Sequence, residues 1–407
     1  MPASPRTARA INDRLALRLL QQQGPLTAGQ LKQLTGLSRP TVADLVERLA
    51  AGGLITVVGE SGEQRRGPNA RLYGIVADRA QLAALDVRTE GVTVVVTDLL
   101  GAELARASVP IAGDAQTAGA VEQAVALVQR TAGEAGADRL HTVGVGAPGL
   151  IDPVTGELRD SSGLPEWHRR LAAALHARTG ARVLLENETN LAALAEQREG
   201  AARDRDTFVL LWLGHGTGAA VVLDGTLRRG SSGGTGEIGF LPVPGPPALP
   251  SATDCEGGFH SLACGAAVAR LAAEHGVEAR PAPHELPAAA LVRTAVAALR
   301  GDDEAGAVVP GGPGSAYDGF LDVLADRLAI GAASVIAVLD PGCVVLGGEL
   351  GRAGGEVLAS RVARRLARMS PLPTEVRASG LGGGAVLRGA LLTARDGAQD
   401  ELFAPGI

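Results

Sequence analysis

The chain has 407 residues, 46% of them hydrophobic and only 2% aromatic. At about 100–200 residues per domain this predicts two or three domains, and the apolar content, mainly Leu, Val and Ala, excludes wholesale disorder. The net charge of −6 excludes a uniformly basic nucleic-acid coat, yet residues 1–75 carry +5 against −11 for the rest, which points to one small module with its own polyanionic partner.

Three cysteines, Cys255, Cys264 and Cys343, show no framework spacing and predict a reduced, cytoplasmic setting. The opening MPASPRTARA has no apolar leader, and the longest apolar stretch, 328–339, falls short of the ~20 residues that cross a bilayer, so no membrane partner is expected.

Three helical patterns come first. Ile11, Leu15 and Leu19 recur at four-residue spacing and predict the buried stripe of the first. Thr27 suits the cap of a second helix with an inner face of Ala28, Leu31 and Leu34, and Gly36-Leu37-Ser38 makes a tight turn. Ser38 then caps a third helix, with Pro40 in its first turn, where a missing N–H does no harm. Val42, Leu45, Val46 and Leu49 supply its buried side, and Gly52-Gly53 ends it. Two helices joined by a short Gly turn predict a helix-turn-helix. A hairpin follows, with strands over 54–58 and 70–75 around a polar turn over 59–67, so residues 1–76 read as a winged helix-turn-helix. Candidate contacts to double-stranded DNA are Ser38, Arg39, Thr41 and Asp44, at the end of a helix that reaches base edges in the major groove, and Arg65 and Arg66 on the wing tip, suited to phosphates. A helical protein-interaction module with solvated arginines is the plainer alternative.

From residue 80 the pattern changes to short strands. They are predicted over 82–87, 92–98 and 103–109, followed by a helix carrying Val121, Val125 and Val128 and a buried strand over 141–146. A helix over 167–179, a strand over 182–185 and a helix opened by Asn187-Glu188 complete the unit. The scheme restarts with strands over 207–213, 219–223 and 226–229, then helices, then a buried strand over 343–346. Strand triplet, helix, strand, twice over, predicts a duplicated α/β fold, with lobes over 80–200 and 201–400 and a ligand cleft between them. Residues 276–318, rich in Pro, Gly and Ala, read as a loose insertion.

Five motifs stand in order along this body: Gly144-Val145-Gly146-Ala147-Pro148-Gly149, Glu186-Asn187-Glu188, Leu213-Gly214-His215-Gly216-Thr217-Gly218, Gly236-Glu237-Ile238-Gly239 and Val345-Leu346-Gly347-Gly348. With them the chain resembles the ROK family of repressors, open reading frames and sugar kinases, and within it the xylose/N-acetylglucosamine repressor branch. The resemblance covers nearly the whole chain. It implies a two-lobed, actin-like (ribonuclease H-like) body behind the winged helix that regulators carry and kinases lack.

The family holds enzymes and sensors, so the chemistry has to decide. Phosphoryl transfer needs close backbone approach to phosphates and a base for the sugar hydroxyl. The first phosphate loop of the kinases resembles Asp-x-Gly-Gly-Thr; here it reads Asp86-Val87-Arg88-Thr89-Glu90. A long cation and Thr89 replace the glycines, and Glu90 would repel a γ-phosphate. The second loop keeps Gly214, Gly216 and Gly218, which equally suit closing a strand turn. The kinases' catalytic aspartate falls at Glu188, one methylene longer, and catalysis is sensitive to ~1 Å of misplacement. The loops therefore read as degenerate, with no catalytic residue and no ATP expected.

The family's structural zinc site is expected to be absent. Its His position is Phe240, and its Cys positions fall at Ser251, Thr253 and Gly258; Cys255, His260 and Cys264 lie nearby without zinc spacing. The resemblance implies sugar contacts at Asn187, Glu188, Glu237 and His260, the last standing where the family has Glu. Asn187 at a helix start suits capping as well as ligand contact. The expected function is a DNA-binding transcriptional regulator, a repressor responding to a small carbohydrate or sugar phosphate. A homodimer or tetramer would read a palindromic operator. A sugar kinase fused to a DNA module and a DNA-binding scaffold without ligand are the alternatives.

Overall fold

The computed structural model describes residues 5–61, 70–112, 115–159, 164–246, 248–251, 256–282, 285–301 and 313–403, the side chains of 5–7 and 313–315 aside. Arg65 and Arg66 on the expected wing tip, with Thr253 and Cys255, lie outside the described residues.

The first module is built from α1 (Pro5–Gln23), β1 (Leu26–Thr27), α2 (Ala28–Thr35), α3 (Arg39–Ala51), β2 (Ile55–Ser61) and β3 (Ala70–Ile75). Thr27 closes α2 with a capping box: its Oγ1 accepts from the Gln30 amide at 3.2 Å while Gln30 Oε1 accepts from the Thr27 amide at 2.8 Å. Gly36 ends α2 in the left-handed region (φ 70), and Ser38 Oγ caps α3 by accepting from the Thr41 amide at 3.3 Å. Leu26 pairs with Tyr73, so a short strand absent from the sequence reading joins the hairpin as a three-stranded sheet, β1-β3-β2.

The buried face of α1 differs from the expected one. Ala16, Leu17 and Leu20 point inward, whereas Ile11 and Leu15 are 58% and 39% exposed. Leu34 on α2 is likewise exposed. Helix α1 carries more apolar positions than one face can bury, and the face bearing the small Ala16 is the one packed against its neighbours.

The body repeats one unit. Lobe 1 runs β4 (Gln81–Arg88), β5 (Gly91–Thr97), β6 (Glu103–Pro110), α4 (Thr117–Glu134), β7 (Leu140–Ala147), α5 (Glu166–Thr179), β8 (Arg182–Asn187) and α6 (Glu188–Glu199). Lobe 2 runs β9 (Phe208–Leu213), β10 (Thr217–Leu223), β11 (Thr226–Arg228), α7 (His260–Ala263), α8 (Gly265–Glu274), α9 (Pro287–Arg300), α10 (Pro313–Leu339), β12 (Cys343–Gly347), α11 (Gly348–Met369), β13 (Glu375–Ala378) and α12 (Ala385–Leu402). The sheet orders correspond, β6-β5-β4-β7-β8 and β11-β10-β9-β12-β13. In each, an antiparallel meander continues into parallel pairs, β4 with β7 and β9 with β12. All six residues of β9 are buried, as a strand covered on both faces requires.

Residues 276–318 are not a loose insertion throughout. They contain α9, whose Ala288, Ala289, Val292, Ala295 and Val296 are buried in the core of lobe 2. Alanine is the best helix former, Pro287 sits harmlessly in the first turn, and Gly301 ends the helix in the left-handed region. The segment 241–262 is pinned by a Pro242–Gly258 bridge and the Phe259 amide on Leu241 O (2.8 Å), with Leu241 and Val243 packed on the lobe 2 core.

One helix connects everything. The first half of α12, through Val386 and Ala390, packs in an apolar cluster with Ala84 of lobe 1, Leu191 of α6, and Leu210 and Val345 of lobe 2. Its second half, through Ala394 and Ala398 and on to Phe403, packs with Ala16, Leu17 and Leu20 of α1 and with Leu82 and Leu99. Arg14 of α1 donates to Asp400 O at 3.3 Å, and Gln399 Nε2 to Leu99 O at 3.4 Å. No described helix is long and apolar enough to cross a membrane.

Candidate functional site

Two regions carry the expected chemistry. On α3, Arg39, Thr41 and Asp44 are all exposed. Arg39 has no hydrogen bond or ion pair with any described residue, so its guanidinium is available to a partner. The hydroxyls of Ser38 and Thr41 bond each other at 2.8 Å. Asp44 is already engaged by Arg48 one turn on, and Arg48 Nε in turn donates to Asp13 of α1 at 3.2 Å. Ser38 and Asp44 therefore shape and brace this helix, and Arg39 with Thr41 forms its open end.

The second region is the cleft where the parallel strands end. Strand alternation puts Asp86 and Arg88 of β4 on one face. Asp86 is 7% exposed, and Arg88 Nε donates to its Oδ2 at 3.1 Å. Across the cleft, Arg88 Nη1 donates to Oε1 of Glu349, in the first turn of α11. Arg88 thus ties lobe 1 to lobe 2. A Cβ placed on Gly214 would meet Glu349 Oε2, so this contact also lies against the second glycine loop.

Glu188, the first residue of α6, shares this charge cluster. Burial pushes its carboxyl up to about 8; the Asp86 and Glu349 charges add to the shift and Arg88 opposes it. Burial also raises Asp86, against the pull of Arg88. Asp86 Oδ1 is buried without a hydrogen-bond partner among the described residues, and so is Thr217 Oγ1.

Glu186 forms a second tie. Its Oε1 accepts from the Asn187 amide (2.9 Å) and from Asn190 Nδ2 (3.0 Å), and its Oε2 accepts from Nε of Arg229, which follows β11 of lobe 2, at 2.6 Å. A third, exposed link pairs His215 with Glu90 at 3.3 Å. Asn187 behaves as the cap of α6: Oδ1 accepts from the Thr189 and Asn190 amides at 2.8 and 3.3 Å, while Nδ2 donates to Gly149 O at 2.9 Å. It retains one amide hydrogen for a ligand.

The lobe 2 wall holds Glu237 and His260. Glu237 stands exposed in its loop, and partial desolvation pushes its carboxyl up. Half-buried His260 stands one turn before the buried Cys264, whose proximity raises the imidazole; burial pushes the thiol up, but His260 and the Ala266 and Ala267 backbone bring it down overall. Next to Cys264, the Gly265 amide donates to Gly214 O at 2.9 Å, which connects this pair to the second glycine loop. No group of three or more His, Cys, Asp or Glu suited to a metal occurs among the described residues. A wide groove lies elsewhere on lobe 1, lined by Arg79, His141, Arg169 and Arg182, and shares no residue with this cleft.

The cleft thus brings Asp86, Glu188 and the Gly214 loop together, and the sequence reading missed three of its members. Glu186 lies inside a quoted motif and Glu349 directly follows another, so position alone could have flagged them. Arg229 carries no such signal.

Comparison with known proteins follows the same division. The ROK family model matches residues 82–396, and a MarR family model matches residues 11–67. A glucokinase of Thermotoga maritima is 33% identical over 222 residues, 52% of this chain and 65% of the relative. The transcriptional dual regulator NagC of Escherichia coli K12 is 27% identical over 241 residues, 57% of each. The chain thus spans under two thirds of the length of these two relatives. The crystal structure of a ROK family transcriptional regulator, a homologue of the E. coli MLC protein, covers 97% of this chain and 98% of its own at TM-score 0.75 and 20% identity, a likeness of fold. A ROK hexokinase from Thermus thermophilus covers 79% of this chain and 99% of its own at TM-score 0.59 and 28% identity.

Proposed function

The chain belongs to the ROK family, and we propose that it is a DNA-binding transcriptional regulator, a repressor of carbohydrate-related genes whose two-lobed body senses a sugar and does not phosphorylate it. The observation that carries this reading is α12, one helix whose first half lies in the core between the lobes and whose second half shares an apolar cluster with lobe 1 and the winged helix, to which Asp400 is tied by Arg14 of α1. A change in the angle between the lobes is thereby delivered to α1 and α3.

Arg88 supports the non-enzymatic part. A guanidinium held by Asp86 and Glu349 stands where a kinase would offer glycine backbone to phosphate. Glu188 is held with a raised carboxyl against two other acidic groups, so at neutral pH it keeps the proton that a base would have to be without.

In operation, α3 enters the major groove. Arg39 and Thr41 meet base edges, and Arg65 and Arg66 on the wing meet phosphates. A homodimer or tetramer sets two such helices about 34 Å apart on a palindromic operator. A carbohydrate bound by Asn187, Glu188, Glu237 and His260 favours one lobe angle over another, which requires different affinity for the two states.

The test selects DNA from a random pool with the full chain and measures binding by fluorescence anisotropy. The double variant Arg39→Ala/Thr41→Ala is expected to lose at least tenfold on the selected site, at about 1–3 kcal/mol per base contact. Arg66→Ala weakens all sequences alike and lowers the salt slope by about 1. Wild-type affinity in the double variant overturns the α3 assignment. ATP consumption with a hexose panel is expected to be absent; turnover abolished by Glu188→Ala overturns the sensor reading.

A further inference from the structure

The charge cluster in the cleft restricts what the effector can be. Two carboxylates, Asp86 and Glu349, hold one guanidinium, with the carboxyl of Glu188 beside them, and Arg88 spends both of its described contacts on the two. A phosphate group entering here would find the local cation already taken and the carboxylates facing it.

A second observation points the same way. Asp86 Oδ1 is buried with no partner among the described residues, on a side chain 7% exposed. While Asp86 is ionised, this oxygen only accepts, so a hydroxyl or an ammonium group satisfies it and a fully ionised phosphate group, which has no hydrogen to give, does not.

We infer that the interlobe site selects against phosphate: its ligand is a carbohydrate that presents hydroxyl or ammonium donors and carries no phosphate ester. Arg88 and Glu349 determine that specificity, by closing the place where a phosphate would lie. The inference rests on the effector reading above and narrows it, setting aside sugar phosphates and nucleotides.

The experiment is calorimetric titration of the full chain with glucose, mannose, glucosamine and N-acetylglucosamine, each beside its 6-phosphate. At least one parent sugar is expected to bind, and its 6-phosphate at least tenfold more weakly. Glu349→Gln frees Arg88 for an anion and is expected to shift the ratio at least fivefold toward the ester; Asp86→Asn provides a second variant with the same direction. An ester that binds the wild type as tightly as its parent overturns the inference, as does a ratio unmoved in both variants. If neither sugars nor esters bind, the effector reading itself falls. Phosphate exclusion is then read by thermal shift with inorganic phosphate, expected to stabilise Glu349→Gln and not the wild type. Equal stabilisation of both overturns the inference.

Discussion

Lobe 1 lines its side of the cleft with charged side chains, whereas lobe 2 lines the other side largely with glycine backbone. On the first side stand Asp86, Arg88, Glu186 and Glu188, each held by an ion pair, a hydrogen bond or the field of its neighbours. On the second run Gly214–Gly218 and Gly233–Gly239, where several glycines touch neighbouring backbone directly. Since the two lobes share one strand order, the difference lies in what the strand turns carry. Glycines on the lobe 2 wall are held there by packing as well as by any ligand. In the lobe 1 wall, whose first turn carries Arg88, Thr89 and Glu90, side-chain charge takes the place of open backbone.

The contrast breaks most sharply at Gly236. It has φ +91, and a Cβ there would lie 1.9 Å from Ala219 O, a backbone atom with no freedom to move aside. Gly236→Ala is expected to cost about 3 kcal/mol or more, measured by urea unfolding. A cost under about 1 kcal/mol would mean that packing does not hold this glycine.

On the lobe 1 wall the matching change is Arg88→Ala. It leaves Asp86 buried beside Glu349 and Glu188 without their cation. Breaking a fully buried pair costs about 3–5 kcal/mol; Arg88 is 39% exposed, so about 2 kcal/mol is expected. The double variant Arg88→Ala/Asp86→Ala should recover much of that loss, and a double-mutant cycle measures the coupling.

These two walls were not equally legible in the sequence. Gly214, Gly216 and Gly236 announce themselves as motifs, and β9 beside them is an unbroken apolar run. Arg88 is legible as a departure from a pattern, but its partner Glu349 lies 261 residues away, and only the fold brings the two together. Arg229 and Glu186, 43 residues apart, are hidden for the same reason. In the first module, Thr27 and Ser38 were readable because a cap acts within three residues. The buried face of α1 was not, because the residues that cover it come from α2, α3 and β3 and from a cluster shared with the far end of the chain, which only the fold assembles. The two residues of β1 are too few to show alternation, and α9 was masked by the Pro and Gly on either side of its alanines.

Glu188 sharpens the comparison through pH. Its carboxyl is pushed up to about 8 in the folded chain, against about 4.3 when unfolded. Between those values the folded state holds a proton that the unfolded state has released. The contribution to stability is therefore full below about pH 4.3 and is lost as pH rises through about 8, at up to about 1.4 kcal/mol per unit. Glu188→Gln is expected to flatten the decline in unfolding free energy between about pH 5 and 8. A decline as steep in the variant would place its origin in the other groups of the cluster.

The smallest effect belongs to Gly216, and it separates the two reasons for a glycine. Unlike Gly236, it has open space where a methyl group would stand and no left-handed φ. Packing therefore does not require glycine there, and the fold should accept Gly216→Ala within about 0.5 kcal/mol, on the stabilising side, because alanine has less freedom to lose on folding. If the turn still cradled a phosphate, the added methyl would obstruct the backbone approach, and binding of magnesium–ADP would fall on substitution. With Arg88 closing the opposite wall, no magnesium–ADP binding is expected in either form by calorimetry. Nucleotide affinity in the wild type that disappears in Gly216→Ala would show that the second loop kept its phosphate function after the first had lost it.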